Sequence, residues 1–213
     1  MKLDAGTHGT VIGRTGAGKT YYMVNFLAPI SGRTLIVDSE GYDYDKPWFP
    51  TISFSKAREL SDGDKPFVAR VLSTGKMDSK VDDLFYALLD KGHELLLLID
   101  EATDFSRGET LLPGYFDLIR KARKRQISVW SGTQRPADLN KTVYTQSSHH
   151  VWFYVDEYDV ANWLHRSAQP VFDRMSEIPY GSFRWLYQAP SGQVELYDKV
   201  PEYHWGDRYA RRK

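Results

Sequence analysis

Gly13-Arg14-Thr15-Gly16-Ala17-Gly18-Lys19-Thr20 is the stretch on which the reading of the fold turns. Glycine, four residues, glycine, lysine and then threonine is the pattern of a phosphate-binding loop. Glycines let the backbone fold tightly enough for successive N–H groups to point at phosphates, and the start of a helix adds positive potential. In such a loop Lys19 reaches the β- and γ-phosphates and the Thr20 hydroxyl ligates magnesium. The flanks suit the motif. Thr7 to Ile12 ends in the β-branched run Thr10-Val11-Ile12, which reads as a buried strand, and Tyr21 to Leu27 is mostly apolar and continues as a helix. An ordinary glycine-rich turn would not need the full pattern inside a strand–loop–helix setting.

Further along the chain, Leu95-Leu96-Leu97-Leu98-Ile99-Asp100-Glu101 places five apolar residues before two acids. The run suits a central parallel strand covered on both faces, with the acids where it emerges. Many strands stop at a solvated carboxylate, so the acids gain meaning only from the phosphate loop upstream. With it, Asp100 is the expected magnesium ligand and Glu101 the group that polarises a water for attack on the γ-phosphate. A kinase transfers to an acceptor and has no need of a water-activating acid there, so the pair points to ATP hydrolysis.

The remaining elements follow from pattern. Thr34 to Val37 reads as a second buried strand closed by Asp38, and Ser39 to Pro50 as a surface excursion. Thr51 to Phe54 and Phe67 to Leu72 are expected edge strands. Val81, Leu84, Phe85, Leu88 and Leu89 recur at helical spacing, predicting a helix over Asp78 to Lys91 that Gly92 closes. Leu111 to Arg125 is expected to be a helix, ending in Arg120-Lys121-Ala122-Arg123-Lys124-Arg125 and followed by the strand Ile127 to Trp130. Its cations spread around the helix and form no single face. They are either favoured at a helix C-terminus or include an arginine that reaches a neighbouring subunit's γ-phosphate. After the strand, Gln134 is either a sensor of the γ-phosphate or the cap of a turn.

Composition narrows the classes. The chain has 213 residues, enough to bury a core as one α/β unit, and its Cys count of 0 excludes disulfide and thiolate chemistry. Lys+Arg 28 against Asp+Glu 28 gives no net charge, so nucleic-acid contact would need a local patch. No apolar run approaches the ~20 residues of a membrane span. The expectation is one ATPase domain over residues 1–213, with a motor core of about 7–164 and an extension of about 165–213. In the extension, Ser182 to Tyr187, a turn at Ala189-Pro190-Ser191-Gly192, and Gln193 to Val200 predict a β-hairpin. The basic, aromatic tail Arg208 to Lys213 either contacts phosphates or is a solvated terminus.

Taken together, the phosphate loop, the Asp100-Glu101 strand, and Arg120 to Gly132 leading into Thr133-Gln134-Arg135-Pro136-Ala137-Asp138-Leu139 resemble the FtsK–HerA superfamily of DNA-translocating ATPases. His8 to Gly13, Val37 to Tyr42 and Val143 to Leu164 are similar to it as well. The resemblance implies a RecA-like, mainly parallel sheet flanked by helices. In that sheet the strand before Gln134 lies between those before Lys19 and Asp100, so that Gln134 faces the γ-phosphate. It also implies ATP and Mg2+ as ligands and a ring, commonly a hexamer, with double-stranded DNA in its pore. An arginine finger is implied shortly before the Gln134 strand, with Arg123 first and Arg120 second. HerA-type barrel, FtsK winged-helix and membrane-anchor segments are not seen. The sequence therefore most resembles genome-packaging ATPases of tailless membrane-containing viruses, which implies work in the host cytoplasm or at the virion vertex, against a capsid-vertex or viral membrane protein. Two other readings stay open: a phage assembly or secretion ATPase of the zonula-occludens-toxin type, and a nucleotide-gated adaptor that does not pump.

Overall fold

The computed structural model describes residues 4–41, 49–107 and 109–201. Its strands, in chain order, are β1 (Gly9–Ile12), β2 (Arg33–Asp38), β3 (Phe67–Leu72), β4 (Leu96–Ile99), β5 (Ser106–Arg107), β6 (Thr110–Leu111), β7 (Ser128–Thr133), β8 (His149–Trp152), β9 (Trp185–Gln188) and β10 (Val194–Tyr197). Eight form one sheet in the order β10-β9-β8-β1-β7-β4-β2-β3, while β5 and β6 form a small antiparallel pair. The six strands from β8 to β3 run parallel, and β9 and β10 are antiparallel. The mainly parallel sheet and the C-terminal hairpin read from the sequence are both present. The hairpin extends the sheet, because β9 pairs with β8 through Val151 and Tyr187.

Each central strand alternates between two apolar layers. Ile12, Leu35, Val37, Leu97, Ile99 and Val129 face one core, against Val81, Leu84, Phe85 and Leu88 of the helix Ser79–Lys91 and Tyr115 and Leu118 of the helix Pro113–Lys121. Val11, Ile36, Leu96, Leu98 and Trp130 face the other, with Tyr22, Met23 and Leu27 from the helical run after the phosphate loop. This two-sided burial explains the unbroken apolar run at Leu95 to Ile99. At about 25 cal/mol per Å2, each fully buried large side chain contributes roughly 1.5–3 kcal/mol.

Other elements depart from the sequence expectations in instructive ways. Thr51 to Phe54 is not a strand: Thr51 makes one isolated bridge to Arg70, and a helix runs over Phe54–Asp62. The Ser53 hydroxyl caps it by accepting from Lys56 N at 3.2 Å, and Ala57 and Ser61 are its buried side. The helix expected from Leu111 begins at Pro113, its fixed φ suited to a first turn, and narrows to a 3-10 turn over Ala122–Arg125. The helix expected over Asp78 to Lys91 runs over Ser79–Lys91, with the Asp78 carboxylate capping it by accepting from Lys80 N. The run after the loop is α-helical over Lys19–Tyr22, π-helical over Met23–Leu27 and α-helical again over Ala28–Ile30. Most of the Ser39 to Pro50 excursion, and the tail Arg208 to Lys213, lie outside the described residues. Among the described residues no helix is long and apolar enough to cross a membrane.

Candidate active site

All six parallel strands end at one edge of the sheet, and the residues that follow them meet there. β1 leads into Gly13, β2 ends at Asp38 and leads to Glu40, β4 leads into Asp100 and Glu101, and β7 into Gln134. β7 lies between β1 and β4, with Gly9 opposite Trp130 and Leu98 opposite Trp130 on its other side. That insertion brings two strands distant in sequence to the flanks of β7. Ligands in open parallel sheets bind at such carboxyl ends.

The loop is held at its base and turned by its glycines. Gly13 N donates to Thr133 O at 3.1 Å, and Arg14 N donates to Tyr154 O at 2.8 Å, so β7 and the segment after β8 fix its start. Gly16 and Gly18 have φ of 79° and 112°, a region that costs side-chain-bearing residues energy. A Cβ on Gly13 would lie 2.6 Å from Phe153 Cβ. Ala17 N turns back to Arg14 O at 3.0 Å, and Tyr22 N to Gly18 O at 2.9 Å opens the helix. The first N–H groups of that helix have no partner within it.

Lys19, Asp100 and Glu101 are all buried. Burial lowers the Lys19 pKa, against the opposing pull of Glu101, Asp100 and Glu40. Burial pushes Asp100 up to about 6; the Thr20 hydrogen bond and Lys19 oppose this, while Asp38 and Glu40 add to it. Glu101 is pushed up to about 7, again mainly by burial, although Thr103 Oγ1 donates to its Oε1 at 2.6 Å. One buried cation therefore faces two buried acids, and desolvation of each is not fully compensated. The Thr20 hydroxyl donates to Asp100 Oδ1 at 3.0 Å. A hydroxyl and a carboxylate in contact, with surplus acid nearby, make a hard oxygen donor set that fits magnesium.

Gln134 stands at the centre of a polar chain. Its Oε1 accepts from Thr15 Oγ1 at 2.7 Å, and its Nε2 donates to Glu40 Oε1 at 3.1 Å. The amide thus touches the phosphate loop directly, which a mere turn cap would not do. Glu40 lies within the Val37 to Tyr42 stretch, where nothing in the sequence marks it as a site residue. Its position follows from Asp38, which is fully buried, accepts from Glu40 N and Gly41 N at 3.0 and 2.8 Å, and pairs with Arg70 at 3.3 Å. Two further arginines are tied to one acidic segment. Arg14 pairs with Asp156 at 2.8 Å, and Arg135 grips the buried Asp159 through two 3.2 Å bonds. No motif at those positions signals either pairing.

Arg120 and Arg123 are exposed and precede β7, so they sit toward the edge where the parallel strands begin, opposite the phosphate loop. Arg120 lies over the Phe116 ring at 5.0 Å, and Arg123 donates to the carbonyl of Gln146 at the end of the helix Lys141–Gln146. Within one chain neither is brought to Lys19.

No family model matches the sequence. Over 93% of this chain and 100% of the other, the structure is similar to the genome packaging NTPase B204 of Sulfolobus turreted icosahedral virus 2, solved in complex with ATP-gammaS, with a TM-score of 0.78 at 18% identity. The chain has the fold of a phosphate-loop NTPase. VirB4 of Thermoanaerobacter pseudethanolicus shares that NTPase fold at a TM-score of 0.60 and 11% identity, over 92% of this chain and 89% of that one. In sequence, protein P9 of Pseudoalteromonas phage PM2 is 27% identical over 141 residues, 65% of this chain. The match spans 64% of that relative's length.

Proposed function

We propose that this chain is an ATPase that drives double-stranded DNA into a preformed viral capsid as a subunit of a homo-oligomeric ring. The observation that carries the reading is the gathering of Lys19, Thr20, Asp100, Glu101 and Gln134 at one carboxyl edge, on elements far apart in sequence. The sequence resemblance to DNA translocases and the fold shared with a viral genome packaging NTPase support the DNA and capsid parts. Residues 1–213 act as one domain, supported by β9 and β10 joining the same sheet as the motor core.

In this reading the loop from Gly13 to Thr20 wraps the triphosphate, with Lys19 offsetting charge on the β- and γ-phosphates. Thr20 and Asp100 hold magnesium, which when bound neutralises charge on phosphate oxygens. Glu101 accepts the proton of the attacking water, and its raised pKa makes it a stronger base than a solvated glutamate. Gln134 exchanges its hydrogen bond with Thr15 for one to the γ-phosphate or the water. Arg123, or Arg120, comes to the site from the neighbouring subunit. The ring works in the host cytoplasm or at the virion vertex, docked on a capsid-vertex or viral membrane protein.

Hydrolysis by the assembled oligomer, measured with and without duplex DNA across a salt series, tests the proposal. Stimulation by DNA is expected to fall steeply with salt, because each phosphate contact releases counterions. Hydrolysis indifferent to DNA at every salt concentration defeats translocation and leaves the adaptor reading.

A further inference from the structure

We propose that Phe183 is the stacking platform for the base of the bound nucleotide, held in place by Tyr180 of the same loop; this rests on the nucleotide-binding reading above. The strand order gives the site a direction. Gln134, Asp100 and Glu101 follow β7 and β4, on one side of β1, which makes that side the γ-phosphate end. The ribose and base then leave toward the other side of β1, where β8 and β9 lie.

On that side the rim of the phosphate loop is aromatic. A Cβ placed on Gly18 would lie 3.2 Å from the Phe153 ring and 3.5 Å from the Phe183 ring, and one on Gly16 would lie 3.3 Å from the Tyr180 hydroxyl. Phe153 is fully buried and serves the core. Phe183 and Tyr180 are 56% and 58% exposed, so their faces contribute little to folding.

The loop is nevertheless built to present them. Phe183 has a φ of 54°, a left-handed conformation unfavourable for a bulky residue, which persists only when its surroundings enforce it. Ser182 N donates to Pro179 O at 3.1 Å, and Arg184, the next residue after Phe183, pairs with Asp198 at 3.0 Å. Tyr180 packs edge-on against Tyr154 at 5.3 Å between centroids, and Arg14 of the phosphate loop lies 5.5 Å from its ring. Tyr180 thereby anchors the loop to Gly13–Gly18, and Phe183, more than half exposed, leaves ring surface open beside Gly18. Stacking on such a face does not depend on which base is present. Adenine and guanine nucleotides are accepted alike.

Calorimetric titration of the full chain with ATP, GTP and inorganic tripolyphosphate tests the platform, with Phe183→Ala, Phe183→Leu and Phe183→Tyr compared with wild type. Stacking predicts that the Ala and Leu variants lose ATP and GTP affinity by roughly tenfold, keep tripolyphosphate affinity, and that Tyr restores nucleotide binding. Unchanged ATP affinity in Phe183→Ala overturns the proposal, as does an equal loss of ATP and tripolyphosphate, which would make the loop a support for the phosphate site. Full affinity in Phe183→Leu overturns it too, since bulk without a π-face would then suffice. A wild-type chain that binds neither ATP nor tripolyphosphate overturns the nucleotide reading itself, a result none of the variant comparisons can mimic.

Discussion

The Thr20 hydroxyl donates a 3.0 Å hydrogen bond to Asp100 Oδ1 across 80 positions of sequence. Thr20 lies in the first turn of the helix Lys19–Tyr22 and Asp100 follows β4, two strands away from β1, so the bond reaches across the end of β7, which lies between them. The contact joins the two proposed magnesium ligands and separates phosphate capture from water activation at the neighbouring Glu101.

That separation has a kinetic consequence. Lys19→Ala is expected to abolish nucleotide binding, while Glu101→Gln binds normally and turns over about 10²- to 10⁴-fold more slowly, the usual worth of a general base. Asp100→Asn should lose activity that altered metal restores in part or not at all. Equal loss of ATP affinity in Lys19→Ala and Glu101→Gln contradicts the division, and rescue of Asp100→Asn by an added base argues against its role as a ligand.

The pH profile reads the base directly. Glu101 must be a carboxylate to accept a proton, and burial has raised its pKa to about 7. As pH falls through 7 it protonates, so kcat/KM is expected to drop on the acid side, approaching tenfold per unit well below the pKa. Asp100, raised to about 6, adds to the drop further down. In Glu101→Gln the residual rate should lack the limb near 7. A wild-type profile that is flat from pH 8 to 5.5 is incompatible with this assignment.

Gly132 is expected to tolerate no side chain. A Cβ there would sit 2.1 Å from the backbone oxygen of Asp100. Relief requires β7 and β4 to part just where Asp100 and Gln134 leave them. Gly132→Ala should therefore cost about 1–3 kcal/mol by overpacking, read as a lower urea midpoint, and should reduce hydrolysis more than a comparable loss of stability elsewhere. A midpoint like that of wild type would show that the strands yield freely.

Arg123 offers a test of trans catalysis. Its loss is expected to spare ATP binding and to slow hydrolysis by roughly 10³-fold or more, as for other arginine fingers. Mixing Arg123→Ala with Lys19→Ala subunits should give more activity than either alone, because some interfaces then pair an intact Lys19 with an intact Arg123. If Arg123→Ala alone hydrolyses ATP at nearly the wild-type rate, its role is limited to holding the Gln146 carbonyl, and Arg120 or Arg135 becomes the candidate.

The sequence by itself determined the elements whose chemistry is local. Glycines at 16 and 18 are needed for backbone angles, Lys19 and Thr20 follow at fixed spacing, and five apolar residues before two acids can only bury on both sides, so the loop and the Asp100-Glu101 strand were legible. The helix Phe54–Asp62 was not legible, since its one-sided pattern is short and its start, Ile52-Ser53-Phe54, mimics the strand expected over Thr51 to Phe54. Tertiary structure decided what depends on strand order and on charge in a dry interior. Glu40 reaches Gln134 because β2 ends on the same edge as β7, and Phe183 reaches Gly18 because β9 folds back against β8. The acid shifts at Asp100 and Glu101 arise from burial by residues scattered along the chain. Spacing encodes none of these, because each depends on contacts between segments whose separation in sequence has no fixed relation to their distance in space.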